Sequence, residues 1–148
     1  MLVRDLMTRD PALVVSTDTV AVAADLMRVR GVGMLPVVDH LVHRKLEGVL
    51  TDRDLVVRHL ALDHGSRAKV HEHMTRDMII AALPTDSLEQ TAERMRAHKV
   101  RRVPVIDDAG SVVGVIGLAD LARYWADRAP EQLAELTAGI VEPGALVL

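Results

Sequence analysis

The chain has 148 residues, 49% of them hydrophobic, with a net charge of −3 and neither cysteine nor phenylalanine. This length and hydrophobic content are typical of one globular domain or of two small halves that share a core. The composition excludes disulfides, thiolate metal sites and cysteine nucleophiles, and it makes nucleic acid an unlikely partner because basic surface and aromatic stacking platforms are scarce.

The first residues of the chain and the lengths of its apolar runs indicate where in the cell the protein is expected. No apolar run approaches the roughly 18 residues that a membrane span needs. Arg4 and Asp5 come ahead of any long apolar stretch, which is unlike a secretory signal. We therefore expect a cytoplasmic protein without a membrane span.

Internal repetition is the strongest feature of the sequence. Residues 3–10 (Val-Arg-Asp-Leu-Met-Thr-Arg-Asp) align with residues 70–77 (Val-His-Glu-His-Met-Thr-Arg-Asp) at an offset of 67. Residues 36–39 (Pro-Val-Val-Asp) align with residues 104–107 (Pro-Val-Ile-Asp) at an offset of 68. Because the offset drifts so little, the chain contains two copies of one unit with small changes in the loops.

Each copy is predicted to fold as β-α-β-β-α after a short lead-in. For the first copy we predict a lead-in ending at Met7-Thr8, a strand at 13–15, a helix beginning at Thr17, strands at 34–38 and 46–50, and a helix at 55–61. For the second we predict a lead-in ending at Met74-Thr75, a strand at 78–82, a helix beginning at Thr85, strands at 103–106 and 111–116, and a helix at 118–126. The alternation of strand and helix periodicity supports these assignments.

These elements predict an α/β (α+β) fold of two β-α-β-β-α repeats packed with pseudo-twofold symmetry, because one unit of about 55 residues would be marginal alone. The predicted domains are residues 2–61 for the first repeat, 62–69 for a linker, 70–128 for the second repeat and 129–148 for a C-terminal helix and tail. Pro130 stands where the first turn of that last helix tolerates proline.

One stretch, Gly48 to Asp54, links a strand to a helix and is the leading site candidate. Thr51 is placed as the N-cap, and the free N–H groups of a helix N-terminus can bind an anion. The carboxylate of Asp54 could accept hydrogen bonds from a diol such as ribose. The alternative is a capped helix with an acidic first turn, which stabilises any helix. The stretch returns as Gly114 to Asp120, which favours the functional interpretation.

The Met-Thr lead-in, the Pro-Val-Val/Ile-Asp strand and the Gly-to-Asp turn, present in tandem over residues 2–127, resemble a pair of CBS domains, a Bateman module. The resemblance implies a regulatory module that binds an adenosine-containing ligand (AMP, ADP, ATP or S-adenosylmethionine) in clefts between its two copies. It also implies that modules pair into homodimers. Such a module has no catalytic activity of its own, needs no obligatory cofactor, and would signal to a protein partner that the sequence does not identify.

Carried over residue by residue, the resemblance assigns a first cleft to one set of side chains. They are Val49, Thr51, Asp54, Met78, Ile79, Val100, Arg101 and Arg102. Asp54 would bind the ribose, Thr51 and the two arginines would bind the phosphate, and backbone groups near Ile79 and Val49 would read the adenine. The arginines alternatively are solvated ends of a helix and a strand.

The second cleft departs from the family pattern. Gly117 stands where a hydroxyl is expected, and the opposite wall, Gly33-Met34, has no basic residue. Asp120 remains and could still bind a ribose. The resemblance therefore implies a second cleft that is weaker, empty or suited to a less charged adenosyl ligand.

The sequence is also compatible with two functions other than the ligand sensor. A ligand-free interaction or stress protein, acting through a dimer surface, is favoured by Gly117 and disfavoured by the intact Thr51 and Asp54. A metal-dependent enzyme would have to use the histidines. The pairs His71/His73 and His40/His43 supply two ligands each, which does not complete a tetrahedral site, so we predict no metal site.

Overall fold

The computed structural model describes residues 1–141, and the end of the predicted tail, residues 142–148, lies outside this range. Within residues 1–141 the fold is mixed α+β with two three-stranded sheets. In chain order the elements are α1 (Val3–Leu6), β1 (Thr8–Arg9), β2 (Val14–Val15), α2 (Val20–Arg30), β3 (Met34–Val38), β4 (Leu46–Thr51), α3 (Asp52–Asp54), a π-helix (Leu55–Leu60), a 3₁₀-helix (Val70–Glu72), α4 (Leu88–His98), β5 (Arg102–Ile106), β6 (Val112–Gly117), α5 (Leu118–Trp125) and α6 (Pro130–Val141).

The chain divides into two compact units. The Thr51 unit comprises Asp10–Ile79 and Ile106–Val113, and the Gly117 unit comprises Met1–Arg9, Ile80–Val105 and, as far as the structure describes the chain, residues 114–141. The division does not follow the repeats of the sequence, because each unit contains the Met-Thr lead-in of the other repeat. The lead-ins are therefore exchanged between the two copies.

In the Thr51 unit, β2 runs parallel to β3, and β3 runs antiparallel to β4. All five residues of β3 are buried, as expected for a central strand, and Ala23 and Met27 of α2 are buried as well. In the Gly117 unit, β6 lies between β1 and β5. Residues Leu88, Ala92 and Met95 form the buried stripe of α4 predicted from their spacing.

Helices α2 and α4 each begin three residues later than predicted, at Val20 and Leu88. Their N-caps are Thr19 and Ser87, whose side chains accept hydrogen bonds from backbone N–H groups of the first turn. The aspartates of the preceding Thr-Asp pairs are used elsewhere. Asp18 accepts a hydrogen bond from the N–H of Val15, and Asp86 accepts one from the N–H of Leu83, both at 2.9 Å. Each Thr-Asp pair thus forms a turn before the helix.

The strand predicted at 78–82 is wrong in extent. Only Ala82 pairs, as an isolated parallel bridge with Val105. Met78 has a φ of +53°, in the left-handed region, so the backbone turns where a strand was expected.

The helix predicted at 55–61 has an unexpected form. It begins with the single turn of α3 and continues as the π-helix, in which the N–H of Ala61 donates to the carbonyl of Val56 at 2.9 Å. Helix α6 begins at Pro130 as predicted, and Leu136 and Ile140 of α6 are buried. Among residues 1–141, no helix has both the length and the apolar character to cross a membrane.

Candidate functional site

The strand that leads into the Thr51 turn is paired with the lead-in of the second repeat. The N–H and carbonyl of Val49 exchange hydrogen bonds of 2.9 Å with those of Thr75. A Cβ atom on Gly48 would lie 2.7 Å from the carbonyl oxygen of Thr75 and 2.8 Å from the Sδ of Met74. Only glycine allows this close approach without a shift of the backbone.

The Gly117 unit repeats the same contact with the lead-in of the first repeat. Thr8 is paired with Val115 in the β1–β6 ladder. A Cβ on Gly114 would lie 2.6 Å from the Sδ of Met7 and 2.9 Å from the carbonyl oxygen of Thr8. The Met-Thr motif and the glycine motif are therefore the two halves of one contact, formed once in each unit.

The Thr51 turn is closed by a reciprocal capping box. The N–H of Asp54 donates to Thr51 Oγ1 at 3.0 Å, and the N–H of Thr51 donates to Asp54 Oδ2 at 2.9 Å. The other carboxylate oxygen, Asp54 Oδ1, lies 3.7 Å from Arg58 Nε, and the Asp54 side chain is 14% exposed. The cap uses one oxygen of Asp54 and one lone pair of the hydroxyl, so it leaves the hydroxyl proton and Oδ1 unused, and a ligand at Oδ1 would compete only with the long ion pair to Arg58.

The Gly117 turn has the same cap with fewer free groups. The N–H of Gly117 donates to Asp120 Oδ2 at 2.9 Å. The guanidinium of Arg123 is hydrogen-bonded to Asp120 Oδ1. With no hydroxyl at residue 117 and Oδ1 engaged, this turn offers a ligand less than the Thr51 turn does.

Each turn also lies beside the start of a strand from its own repeat. In the Gly117 unit the N–H of Leu118 donates to the carbonyl of Arg101 at 2.8 Å, and a Cβ on Gly117 would lie 3.0 Å from Cγ of Arg102. In the Thr51 unit the N–H of Asp52 donates to the carbonyl of Gly33 at 3.0 Å. The resemblance assigned Arg101 and Arg102 to the cleft of the Thr51 turn and Gly33-Met34 to the cleft of the Gly117 turn, whereas these hydrogen bonds place each segment beside the other turn. The role of the two arginines at the Thr51 site stays a prediction.

The remaining predicted site residues differ in exposure. Met78 is 81% exposed, whereas Ile79 and Val49 are partly buried. Val100, also partly buried, follows the left-handed C-cap residue Lys99 of α4.

Three histidines that the sequence analysis did not connect come together in the Thr51 unit. They are His59, His64 and His73, and their nearest ring nitrogens all lie within 4.8 Å of one another. The pairs His71/His73 and His40/His43 are close in sequence and were the candidates that the residue spacing offered. His59 and His64 are five residues apart, a separation that an ordinary α-helical pattern does not place on one face, so no sequence signal pointed to the cluster.

The cluster has an unusual electrostatic setting. His73 is 3% exposed, and burial together with the neighbouring His59 and His64 lowers its pKa, with a smaller contribution from Arg58. Glu72 acts in the opposite direction and raises that pKa. A lowered pKa favours the neutral form of His73, in which an imidazole can act as a ligand.

Comparison with known proteins identifies the repeats. A family model described as CBS domain matches residues 3–59 and again residues 70–127. Hypoxic response protein 1 of Mycobacterium tuberculosis is 32% identical over 143 residues, which are 97% of this chain and 96% of that relative.

Solved structures of similar proteins share the fold. A crystal structure of Hypoxic Response Protein I with two coordinated zinc ions has a TM-score of 0.75 and 32% identity, covering 84% of this chain and 98% of that chain. The CBS domain pair of protein MJ0100, in complex with 5-methylthioadenosine and S-adenosyl-L-methionine, has a TM-score of 0.76 and 30% identity, covering 84% and 99%. CBSX2 in complex with AMP has a TM-score of 0.72 and 25% identity, covering 84% and 96%.

Proposed function

The chain belongs to the CBS-domain family, and from this premise we propose that it is a regulatory module that binds an adenosine-containing ligand at the Thr51 turn. The observation that carries the proposal is the pair of groups that the cap leaves unused at this turn, the Thr51 hydroxyl proton and Asp54 Oδ1, the latter held only by a long ion pair of 3.7 Å with Arg58. The adenosyl ligands of the MJ0100 pair and of CBSX2 support the class of ligand.

The chemistry of the turn matches the two polar parts of such a ligand. Asp54 Oδ1 would accept hydrogen bonds from the ribose hydroxyls, since a carboxylate is a strong acceptor for a diol. The Thr51 hydroxyl would donate to a phosphate oxygen. AMP, ADP, ATP and S-adenosylmethionine all present a ribose, so the ribose contact does not discriminate between them. The other contacts proposed for this ligand are those of Val49, Met78, Ile79, Val100, Arg101 and Arg102, whereas Asp120 is the predicted ribose contact of the second cleft.

We infer a regulatory role without catalysis. A ligand that prefers one conformation of the protein would shift its population toward that conformation, and a protein partner would respond to the shift. Formation of a homodimer, a response by a protein partner and a cytoplasmic location are parts of this proposal that follow from the resemblance and the composition.

The second candidate function is a ligand-free interaction protein. It is favoured by the Gly117 turn, where the hydroxyl is absent and Arg123 engages the carboxylate of Asp120. If both turns behaved in this way, the caps would be purely structural.

Calorimetric titration separates the two functions. The pure protein, checked to carry no bound nucleotide, is titrated with AMP, ADP, ATP and S-adenosylmethionine. The sensor proposal predicts micromolar binding of one of these ligands. Flat titrations with all four would contradict it and favour the interaction protein.

A further inference from the structure

The three clustered histidines aim their ring nitrogens at one another. His73 Nε2 lies 3.3 Å from His59 Nδ1 and 3.4 Å from His64 Nδ1. The donor atoms of all three lie within 4.8 Å of one another. The ring planes of His59 and His73 are inclined at 80°, and those of His64 and His73 at 40°. The contacts are therefore made between nitrogen atoms and not between stacked ring faces.

The two nitrogen separations at His73, 3.3 and 3.4 Å, fit a metal ion of a particular kind, and the donor nitrogens of His59 and His64 lie within 4.8 Å of each other. Zn–N bonds of about 2.0–2.1 Å at the tetrahedral angle place neighbouring ligand nitrogens about 3.3–3.4 Å apart. Imidazole is a preferred ligand of Zn²⁺ and of its neighbours among the divalent transition metals. We propose that His59, His64 and His73 form a binding site for one Zn²⁺ ion per chain, with the fourth position open to water.

The local fold explains how the cluster forms. His59 lies in the π-helix, and the N–H of His64 donates to the carbonyl of His59 at 3.1 Å, a bond that also spans five residues. This five-residue turn brings the side chain of His64, which follows the π-helix, beside that of His59. His73 follows the 3₁₀-helix and is brought to the pair by the lead-in, whose Thr75 is paired with Val49. π-type turns are often found at functional sites.

A purely structural role for the cluster accounts for less of the geometry. Three neutral imidazoles can satisfy one another by hydrogen bonds, but a ring nitrogen carries either one N–H or one lone pair, so it makes one good hydrogen bond at a time. Here His73 Nε2 faces two Nδ1 atoms at nearly equal distances. Moreover His64 is exposed, and an exposed histidine can bond to water without turning toward a buried neighbour.

Two charged groups face the cluster and act in opposite directions on a cation. Arg58 donates through Nη1 to the backbone carbonyl of His73 at 3.4 Å, and its charge disfavours a metal. Glu72 acts in the opposite direction, and its Oε2 accepts a hydrogen bond from the N–H of Lys69 at 2.9 Å. Arg58 is half exposed, so water screens much of its repulsion.

The test is zinc binding by the full-length protein without a histidine tag. The metal-free protein is titrated with Zn²⁺ in competition with a coloured chelator, and bound metal is counted by elemental analysis. The proposal predicts one Zn²⁺ per chain. His64→Gln and His59→Gln should each weaken binding by at least about 100-fold, since loss of a ligand costs no less than loss of its supporting shell. His71→Gln, an exposed histidine outside the cluster, is the matched control and should bind as the parent does.

Folding is monitored in the same experiment. His64 is exposed, so metal-free His64→Gln should unfold at the same temperature as the metal-free parent. Added Zn²⁺ should raise the unfolding temperature of the parent and of His71→Gln but not that of His64→Gln, because a metal that binds only the folded state stabilises it. The proposal would be overturned by the absence of stoichiometric zinc, or by zinc binding that survives both His59→Gln and His64→Gln. Neither result depends on whether an adenosyl ligand binds.

Discussion

The Thr51 turn and the Gly117 turn have the same backbone framework and differ in the groups they leave free. In both, an aspartate three residues into the turn accepts a hydrogen bond of 2.9 Å from the N–H of the N-cap residue. At the first turn a hydroxyl is present, and Asp54 Oδ1 is 3.7 Å from the nearest guanidinium nitrogen of its ion pair. At the second turn the hydroxyl is missing, and Arg123 is hydrogen-bonded to Asp120 Oδ1.

The comparison separates the fold-forming part of the motif from its ligand-binding part. The glycine and the aspartate are explained at both turns by contacts within the protein, the glycine by its lead-in and the aspartate by the cap. The threonine hydroxyl is the group that differs. The expected functional difference between the two turns therefore depends on Thr51 and on the freedom of the carboxylate oxygen.

The largest expected effect tests the shared framework. Gly48→Ala should lower the free energy of unfolding by about 2 kcal/mol, because its Cβ would overlap the Thr75 carbonyl and Met74 Sδ. Gly114→Ala should have a similar effect through Thr8 and Met7. Urea unfolding measures both. An unchanged urea midpoint in either variant would mean that the Met-Thr lead-in does not pack tightly against that glycine.

An exchange of residues tests the difference between the turns. Thr51→Gly removes the hydroxyl at a cost of only a few tenths of a kcal/mol to the cap, and we expect it to weaken nucleotide binding about 10-fold, as for a lost hydrogen bond to a charged group. Gly117→Ser supplies a hydroxyl to the second turn and should add a weak second binding event.

Calorimetry of both exchange variants measures affinity and stoichiometry. Gly117→Ser requires a small shift, since its Cβ would lie 3.0 Å from Cγ of Arg102, so its unfolding midpoint serves as the control. Unchanged nucleotide affinity in Thr51→Gly would show that the Thr51 hydroxyl does not contact the ligand.

The smallest effect concerns the two ion pairs. Arg58 and Arg123 are 51% and 73% exposed in their side chains, and exposed ion pairs contribute little to stability. Arg58→Gln and Arg123→Gln should each change the free energy of unfolding by no more than about 0.5 kcal/mol. Urea unfolding checks this, and a loss well above 1 kcal/mol in either variant would show that its guanidinium has a structural role beyond the pair.

Periodicity predicted most of the fold. The strands β3, β4, β5 and β6 agree with the predicted positions to within one residue at each end, because alternating or continuous apolar runs report burial directly. The starts of α2 and α4 were misplaced because Thr17 and Thr85 are also good capping residues. The aspartates that follow them, Asp18 and Asp86, accept hydrogen bonds from the N–H groups of Val15 and Leu83. These bonds form a turn at each Thr-Asp pair, so the helix begins after it.

The parts that the sequence analysis missed depend on contacts that are distant in the chain or on uncommon backbone geometry. The left-handed turn at Met78 carries no glycine to mark it. The π-helix has no signature in the residue pattern, and with it the approach of His59 to His64 was hidden. Thr51 and Asp54, by contrast, were placed correctly as a cap, because the interaction is local and its residue types are distinctive.

The central claim is that the Thr51 turn, and not the Gly117 turn, binds the ligand. The most direct measurement is calorimetry of Asp54→Asn beside Asp120→Asn. In each variant the amide oxygen keeps the acceptor of the cap while the negative charge is removed. We predict that Asp54→Asn weakens binding of the adenosyl ligand by at least about 10-fold, and that Asp120→Asn binds as the parent does. Parental affinity in Asp54→Asn, or equal losses in the two variants, would contradict the account.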